Sequence, residues 1–338
     1  MPETPAPKHR WPYLLVLVVL GGLGIYLGAP ARTSLDAAWH RLAAAPITTI
    51  AVIVGGALGL VATEALRIKV IGRLVGAHVR PRDAWDAAVA NHVMTAITPQ
   101  VGLGEPTVAY LLGKRGIAWD AAVAIPFIKF TTSLALIFAI GTGLVVAGYG
   151  PPVATWITAS GLALFATIAA LTLLVLVLCA QPATARRIIG GLSRWLTRRF
   201  TSEVWQTRIA RAAEVTEQML DRVTVLHGGR NLAVLVVVHL VYYASYIAPL
   251  VGLALVLGHP PVVTLVFRSL IYLCFVFALP TPGGAGPSEA AAGLFFADLV
   301  SPGDAIIIVA VFRAATFYLQ LGIGVVYVPL AAALRRRR

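Results

Sequence analysis

Apolar runs long enough to cross a bilayer alternate along this chain with short polar stretches, and two further apolar segments are broken near their middles. The continuous runs fall at about residues 13 to 29, 47 to 66, 119 to 147, 153 to 180, 231 to 257 and 304 to 333. At about 1.5 Å per residue each covers a hydrocarbon core of about 30 Å, the first only just, so they predict six spanning helices. Residues 85 to 113 and 262 to 299 are also apolar but carry Pro and Gly at their centres. Open backbone at membrane depth survives only inside protein or beside a water-filled cavity. These two segments therefore predict re-entrant helical hairpins, each returning to the side it entered from. The expected fold is an all-α polytopic membrane protein, one transmembrane domain over residues 1 to 338.

Composition agrees with this pattern. The chain is 59% hydrophobic with a mean hydropathy of +0.84, too apolar for an ordinary soluble domain. Its net charge of +13 is distributed between apolar runs and forms no aromatic-interleaved patch, which argues against nucleic acid and for membrane orientation. With the N-terminus cytoplasmic, the segments assigned inside carry 22 of the 27 Lys and Arg residues. The outside loops hold Arg32 and Arg41, and Lys129, Arg268 and Arg313 fall within apolar runs. The expectation is a cell inner membrane protein with both termini cytoplasmic. Lys8 to Arg10 and the apolar run after them imitate a signal peptide, but Pro30 follows the small residues Gly28 and Ala29, so a retained anchor is expected. Cys179 and Cys274 lie in apolar runs and read as buried free thiols.

One long polar element remains, from about 184 to 226. Its Ile188, Leu192, Trp195, Leu196, Phe200, Val204 and Trp205 recur at helical spacing with arginines on the other faces. It predicts a cytoplasmic amphipathic helical segment, either resting on an anionic leaflet or serving as a solvated connector.

The breaks in the two hairpins resemble each other. Pro280-Thr-Pro-Gly-Gly-Ala-Gly-Pro-Ser-Glu289 in the second answers Thr98-Pro-Gln-Val-Gly-Leu-Gly-Glu105-Pro106 in the first. An offset of 184 sets Glu105 on Glu289, Gly102 on Gly286, Asp120 on Asp304, Lys129 on Arg313 and Thr132 on Thr316. In both halves a cation follows the carboxylate by 24 residues. The units run from about 47 to 147 and from about 231 to 333, and in the predicted topology they enter their hairpins from opposite sides. Inverted repeats with broken helices are the architecture of alternating-access carriers, whose half-helix N-termini face an anionic group.

Candidate site residues follow from the breaks. Glu289 and Glu105 stand in the first turns of half-helices, with Pro287 suited to the first helical position and Ser288 able to cap. Gly102, Gly104, Gly283, Gly284 and Gly286 leave backbone N–H groups approachable. Arg313 and Lys129 lie about 14 Å into their helices, where a cation needs a partner. They either neutralise the two glutamates or bind a phosphate, Arg as a fork and Lys as a point charge. His239, with Tyr242, Tyr243 and Tyr246 beside it, is a packing histidine or, with Glu289, part of a proton relay. Asn91 and His92 line the first hairpin's cavity or pair with backbone. Arg268 is expected to snorkel outward, and Glu64 with Arg67 reads as an interfacial pair at a helix end.

No zinc HExxH, nucleophile elbow or nucleotide cradle appears, and no metal, cofactor or catalytic residue is assigned. The two broken motifs together with Phe312-Arg313 resemble the flippase-like integral membrane family, which includes the transmembrane region of lysylphosphatidylglycerol synthases and stand-alone relatives. The likeness covers about residues 10 to 333, without an aminoacyl-transferring domain. It implies a translocase for an anionic or phosphate-bearing lipid made elsewhere, with a membrane phospholipid or lipid-linked substrate as partner. The rival readings are a membrane enzyme acting on a lipid-linked phosphate, and a scaffold for lipid synthesis. A second copy of the chain and a lipid-synthesis enzyme are the protein partners left open.

Overall fold

The computed structural model describes residues 40, 43–44, 46–98, 103–152, 155–200, 202–257, 260–279, 281, 287–296 and 298–336. All regular structure among them is helical. The elements are α1 (Ile47–Leu74), α2 (Pro81–Ile97), α3 (Gly104–Lys114), α4 (Trp119–Leu144), α5 (Thr155–Ala180), α6 (Pro182–Arg199), α7 (Glu203–Val223), α8 (Gly229–Leu257), α9 (Val262–Ala278), α10 (Pro287–Phe296), α11 (Pro302–Arg313) and α12 (Leu319–Arg336). A π-helical turn, Val145–Tyr149, extends α4, and another, Ala314–Tyr318, joins α11 to α12.

Among the described residues, five helical stretches are long and apolar enough to cross a membrane: Ile47–Leu74, Trp119–Tyr149, Thr158–Cys179, Gly229–Leu257 and Ile307–Tyr327. They match five of the six predicted spans and make this a multi-pass membrane protein. The sixth, at 13 to 29, lies outside the described residues. The predicted hairpin segments each fold as two short helices across a break, α2 with α3 and α9 with α10. Each half of the chain thus runs helix, broken pair, helix.

Close backbone approach holds the centre together. α1 and α8 cross so tightly that a Cβ on Gly56 would stand 2.8 Å from Pro249 Cδ, and one on Gly252 would stand 2.8 Å from Val52 Cγ1. Small residues at such crossings let two helices share dispersion contacts along their length, which replaces the hydrophobic driving force that lipid does not supply. One apolar cluster gathers α1, α2, α3 and the start of α4, and a second gathers α8, α9, α10, α11 and the end of α4. Both cysteines are free and buried. The Cys274 thiol fits against Gly141 and donates to the Ile137 carbonyl at 3.2 Å.

The polar segment forms the helical pair α6 and α7. Met219, Leu220 and Val223 of α7 enter the first apolar cluster. Arg222 fixes the same end, donating to Asp120 Oδ2 at 2.8 Å and to the Val75 carbonyl at 2.8 Å. Arg268 does not snorkel outward. It is 3% exposed, with Nε on the Tyr149 carbonyl at 2.9 Å, Nη1 on the Phe295 carbonyl at 2.9 Å and a forked pair with Asp298 at 3.0 and 3.2 Å. A guanidinium offered a carboxylate and two helix-end carbonyls has no need to reach for water.

Candidate functional site

Glu64 and Arg67 sit three apart on α1 and therefore on one face. Glu64 is 1% exposed and Arg67 3%. The pair does not stand at a helix end, as the sequence suggested, because α1 continues to Leu74, eight residues past the expected end. The apolar run stops at Leu66 where the helix turns a polar face inward, toward α2 and α4.

Three groups converge on Glu64. Arg67 Nη1 donates to its Oε2 at 2.9 Å, Asn91 Nδ2 of α2 donates to its Oε1 at 2.8 Å, and Lys129 Nζ of α4 makes a short contact with the same oxygen. Lys129 also lies 3.0 Å from Glu105 Oε1 in the first turn of α3. One ammonium thus bridges two carboxylates, and the 24-residue spacing from Glu105 to Lys129 is a real ion pair. Burial of so many charges is tolerable only because each carboxylate has a cation and Glu64 accepts additional hydrogen bonds.

These groups border a cavity of about 270 Å³. Glu64, Arg67, Asn91, His92, Thr95 and Glu105 line it from the first half of the chain, and Arg313, Thr316, Phe317 and Gln320 from the second. Tyr242 and Tyr246 of α8 and Phe277 and Ala278 at the end of α9 complete a largely apolar wall. The Arg67 guanidinium lies 4.1 Å from the Tyr242 ring centroid and that of Arg313 lies 4.5 Å from the Phe317 centroid, so aromatic faces hold both forks. The widened turn Ala314–Tyr318 follows Arg313 directly, a helix irregularity often found at functional sites. Glu105 Oε2, His92 Nε2 and Arg67 Nε are buried and make no hydrogen bond to the described residues. Among the described residues no group of acidic, His and Cys side chains could hold a metal ion.

The predicted residues divide accordingly. Glu105 and Arg313 reach the cavity. Lys129 lies behind it, taken up by the two glutamates. Gly104 is a packing glycine, since a Cβ there would stand 2.5 Å from Asn91 Oδ1. Pro287 opens α10 as expected, and the carbonyl of the buried Ser288 accepts from the Tyr272 hydroxyl at 2.8 Å. His239 Nε2 shares a 2.7 Å hydrogen bond with Thr132 Oγ1 in the core. Gly102, Gly283, Gly284 and Gly286 lie outside the described residues, as does the side chain of Glu289. Sequence reasoning missed Glu64 and Arg67 as site residues. Their signal was a pair of opposite charges ending an apolar run, which looks the same for a cavity as for a membrane surface.

No curated protein matches this sequence. The model of the family described as "Lysylphosphatidylglycerol synthase TM region" matches residues 13–324. A helical membrane chain with this charged, largely apolar cavity, matched over most of its length, belongs to that family of lipid-handling membrane proteins.

Proposed function

We propose that the protein is a lipid translocase, moving an anionic or phosphate-bearing lipid between leaflets through the cavity beside the two broken helix pairs. The observation that carries this is the pairing of Arg67 and Arg313, from opposite halves of the chain, on one cavity with mainly aromatic and aliphatic walls. Arg67 and Arg313 stand on it beside the carboxylates of Glu64 and Glu105. Forked guanidiniums suit phosphate oxygens, while acyl chains remain in the bilayer. Arg67 takes the place that the spacing had given to Lys129.

Helix lengths support re-entrant hairpins. α2 and α9 have 17 residues each, α3 has 11 and α10 has 10. At about 1.5 Å per residue all four fall short of a core of about 30 Å. In the inverted-repeat reading the first hairpin opens toward the cytoplasm and the second toward the outside, with both termini of the chain cytoplasmic. No nucleotide cradle occurs in the sequence, so movement runs down a lipid gradient or is coupled to an ion.

Purified protein in vesicles should speed exchange of a fluorescent phosphatidylglycerol between leaflets, and Arg313→Ala should reduce the rate to that of empty vesicles. Equal rates in all three preparations would refute the reading.

A further inference from the structure

α6 begins at Pro182, with only Gln181 between it and the end of α5, whose stretch Thr158–Cys179 is long and apolar enough to cross a membrane. It carries Arg186, Arg187, Arg194, Arg198 and Arg199 and no acidic residue. Ile188, Leu192 and Trp195 recur on one face and stay exposed, Trp195 at 62%, and Phe200, Val204 and Trp205 extend the apolar stripe into α7. We propose that this stripe docks on an anionic leaflet, aromatic side chains at headgroup depth and arginines on lipid phosphates. The Arg222 bonds to Asp120 and Val75 then tie the docked pair to the helices that carry Lys129 and Glu64.

The test places an environment-sensitive fluorophore at position 195 (Trp195→Cys in a Cys179→Ala/Cys274→Ala chain) of the reconstituted protein. In phosphatidylglycerol vesicles, brominated lipid should quench it and aqueous iodide should not. Charge reversal of Arg194, Arg198 and Arg199 should exchange the two results. Iodide quenching of the unreversed protein, or shielding from both quenchers by a second protein, would overturn the proposal.

The far ends of the two broken pairs are each held by an arginine. At the end of α3, Arg115 contacts Asp83 and donates to Asp86 at 2.7 Å, both in the opening turns of α2. Tyr327 of α12 donates to the same Asp86 at 2.5 Å. In the second unit, Arg268 of α9 clamps Asp298, just past the end of α10, and takes the Tyr149 carbonyl at the end of the α4 stretch. Each pair is thus closed by an arginine–aspartate clamp and tied to the last helix of the other half. The signs are exchanged at equivalent places. The 184-residue offset sets Arg268 between Asp83 and Asp86, and Asp298 beside Arg115. The two clamps also lie at opposite ends of Trp119–Tyr149, whose 31 residues span about 45 Å.

The geometry points to the two clamps as alternating gates, one releasing its face of the cavity while the other holds. This rests on the translocase reading. Tyr327 lies in the helical stretch Ile307–Tyr327 that carries Arg313, and Tyr149 in the stretch Trp119–Tyr149 that carries Lys129, so both gates are joined to the cavity along these stretches. Partial exposure keeps the clamps breakable, with 23% for the Arg115 side chain and 39% for that of Asp298.

A cysteine reporter in the cavity, Thr95→Cys in the Cys179→Ala/Cys274→Ala chain, is labelled with a membrane-impermeant thiol reagent from either side of sealed vesicles. Arg115→Gln and Tyr327→Phe should each raise labelling severalfold from one side only. Arg268→Gln and Asp298→Asn should raise it from the other. Labelling raised on the same side by both sets, or unchanged in all four variants, would overturn the gates. Labelling does not depend on lipid flux, so sided labelling without flux would instead count against the translocase reading.

Discussion

Glu64 carries the largest stake of any single side chain. It is fully enclosed and accepts from Asn91, Arg67 and Lys129. Glu64→Ala leaves two buried cations short of a carboxylate and should destabilise the protein by about 3–5 kcal/mol. Lys129→Met leaves Glu64 and Glu105 facing each other and should fall in the same range. Glu64→Ala combined with Lys129→Met should lose clearly less than the sum of the single changes, since contacting charges couple. Thermal unfolding in detergent reads all three. Strict additivity would show that the network is less tightly joined than its geometry. At this scale the sequence was legible where a charge interrupts an apolar run, as at Glu105 and Arg313. It misled where a charge ends one. Glu64 and Arg67 looked like a helix end at the edge of the membrane, whereas α1 continues to Leu74 and both side chains are buried within the protein.

Among the elements, the start of α3 is set by space. Gly104 abuts Asn91 and Thr95 of α2, whereas Gly143 of α4 faces open surroundings. Gly104→Ala should force α3 from α2, displace Glu105 from Lys129 and lower thermal stability. Gly143→Ala should be neutral or raise stability by up to about 1 kcal/mol through helix propensity. A Gly104→Ala protein as stable as its parent would mean that the α2–α3 packing is looser than described. Five spans, both breaks and the amphipathic pair were readable from length, Pro/Gly placement and periodicity. The π turns after Leu144 and Arg313 were not, because a single widened turn leaves the apolar pattern almost unchanged. Asp298 escaped notice for a different reason. Its value lies in meeting Arg268, 30 residues earlier, which no local pattern announces.

At the level of the molecule, the two halves of the chain follow the same order of helices, and Glu105 pairs with Lys129 in the first of them. One cavity is lined by a guanidinium from each half, Arg67 and Arg313. The account therefore stands or falls on lipid movement. The direct measurement is the share of a fluorescent phosphatidylglycerol that an external quencher reaches in vesicles with increasing protein content. With wild-type protein this share should rise from the outer-leaflet value toward completeness, and with Arg67→Ala/Arg313→Ala protein reconstituted to the same density it should stay at the outer-leaflet value. An equal rise with both proteins, or none with either, would contradict it.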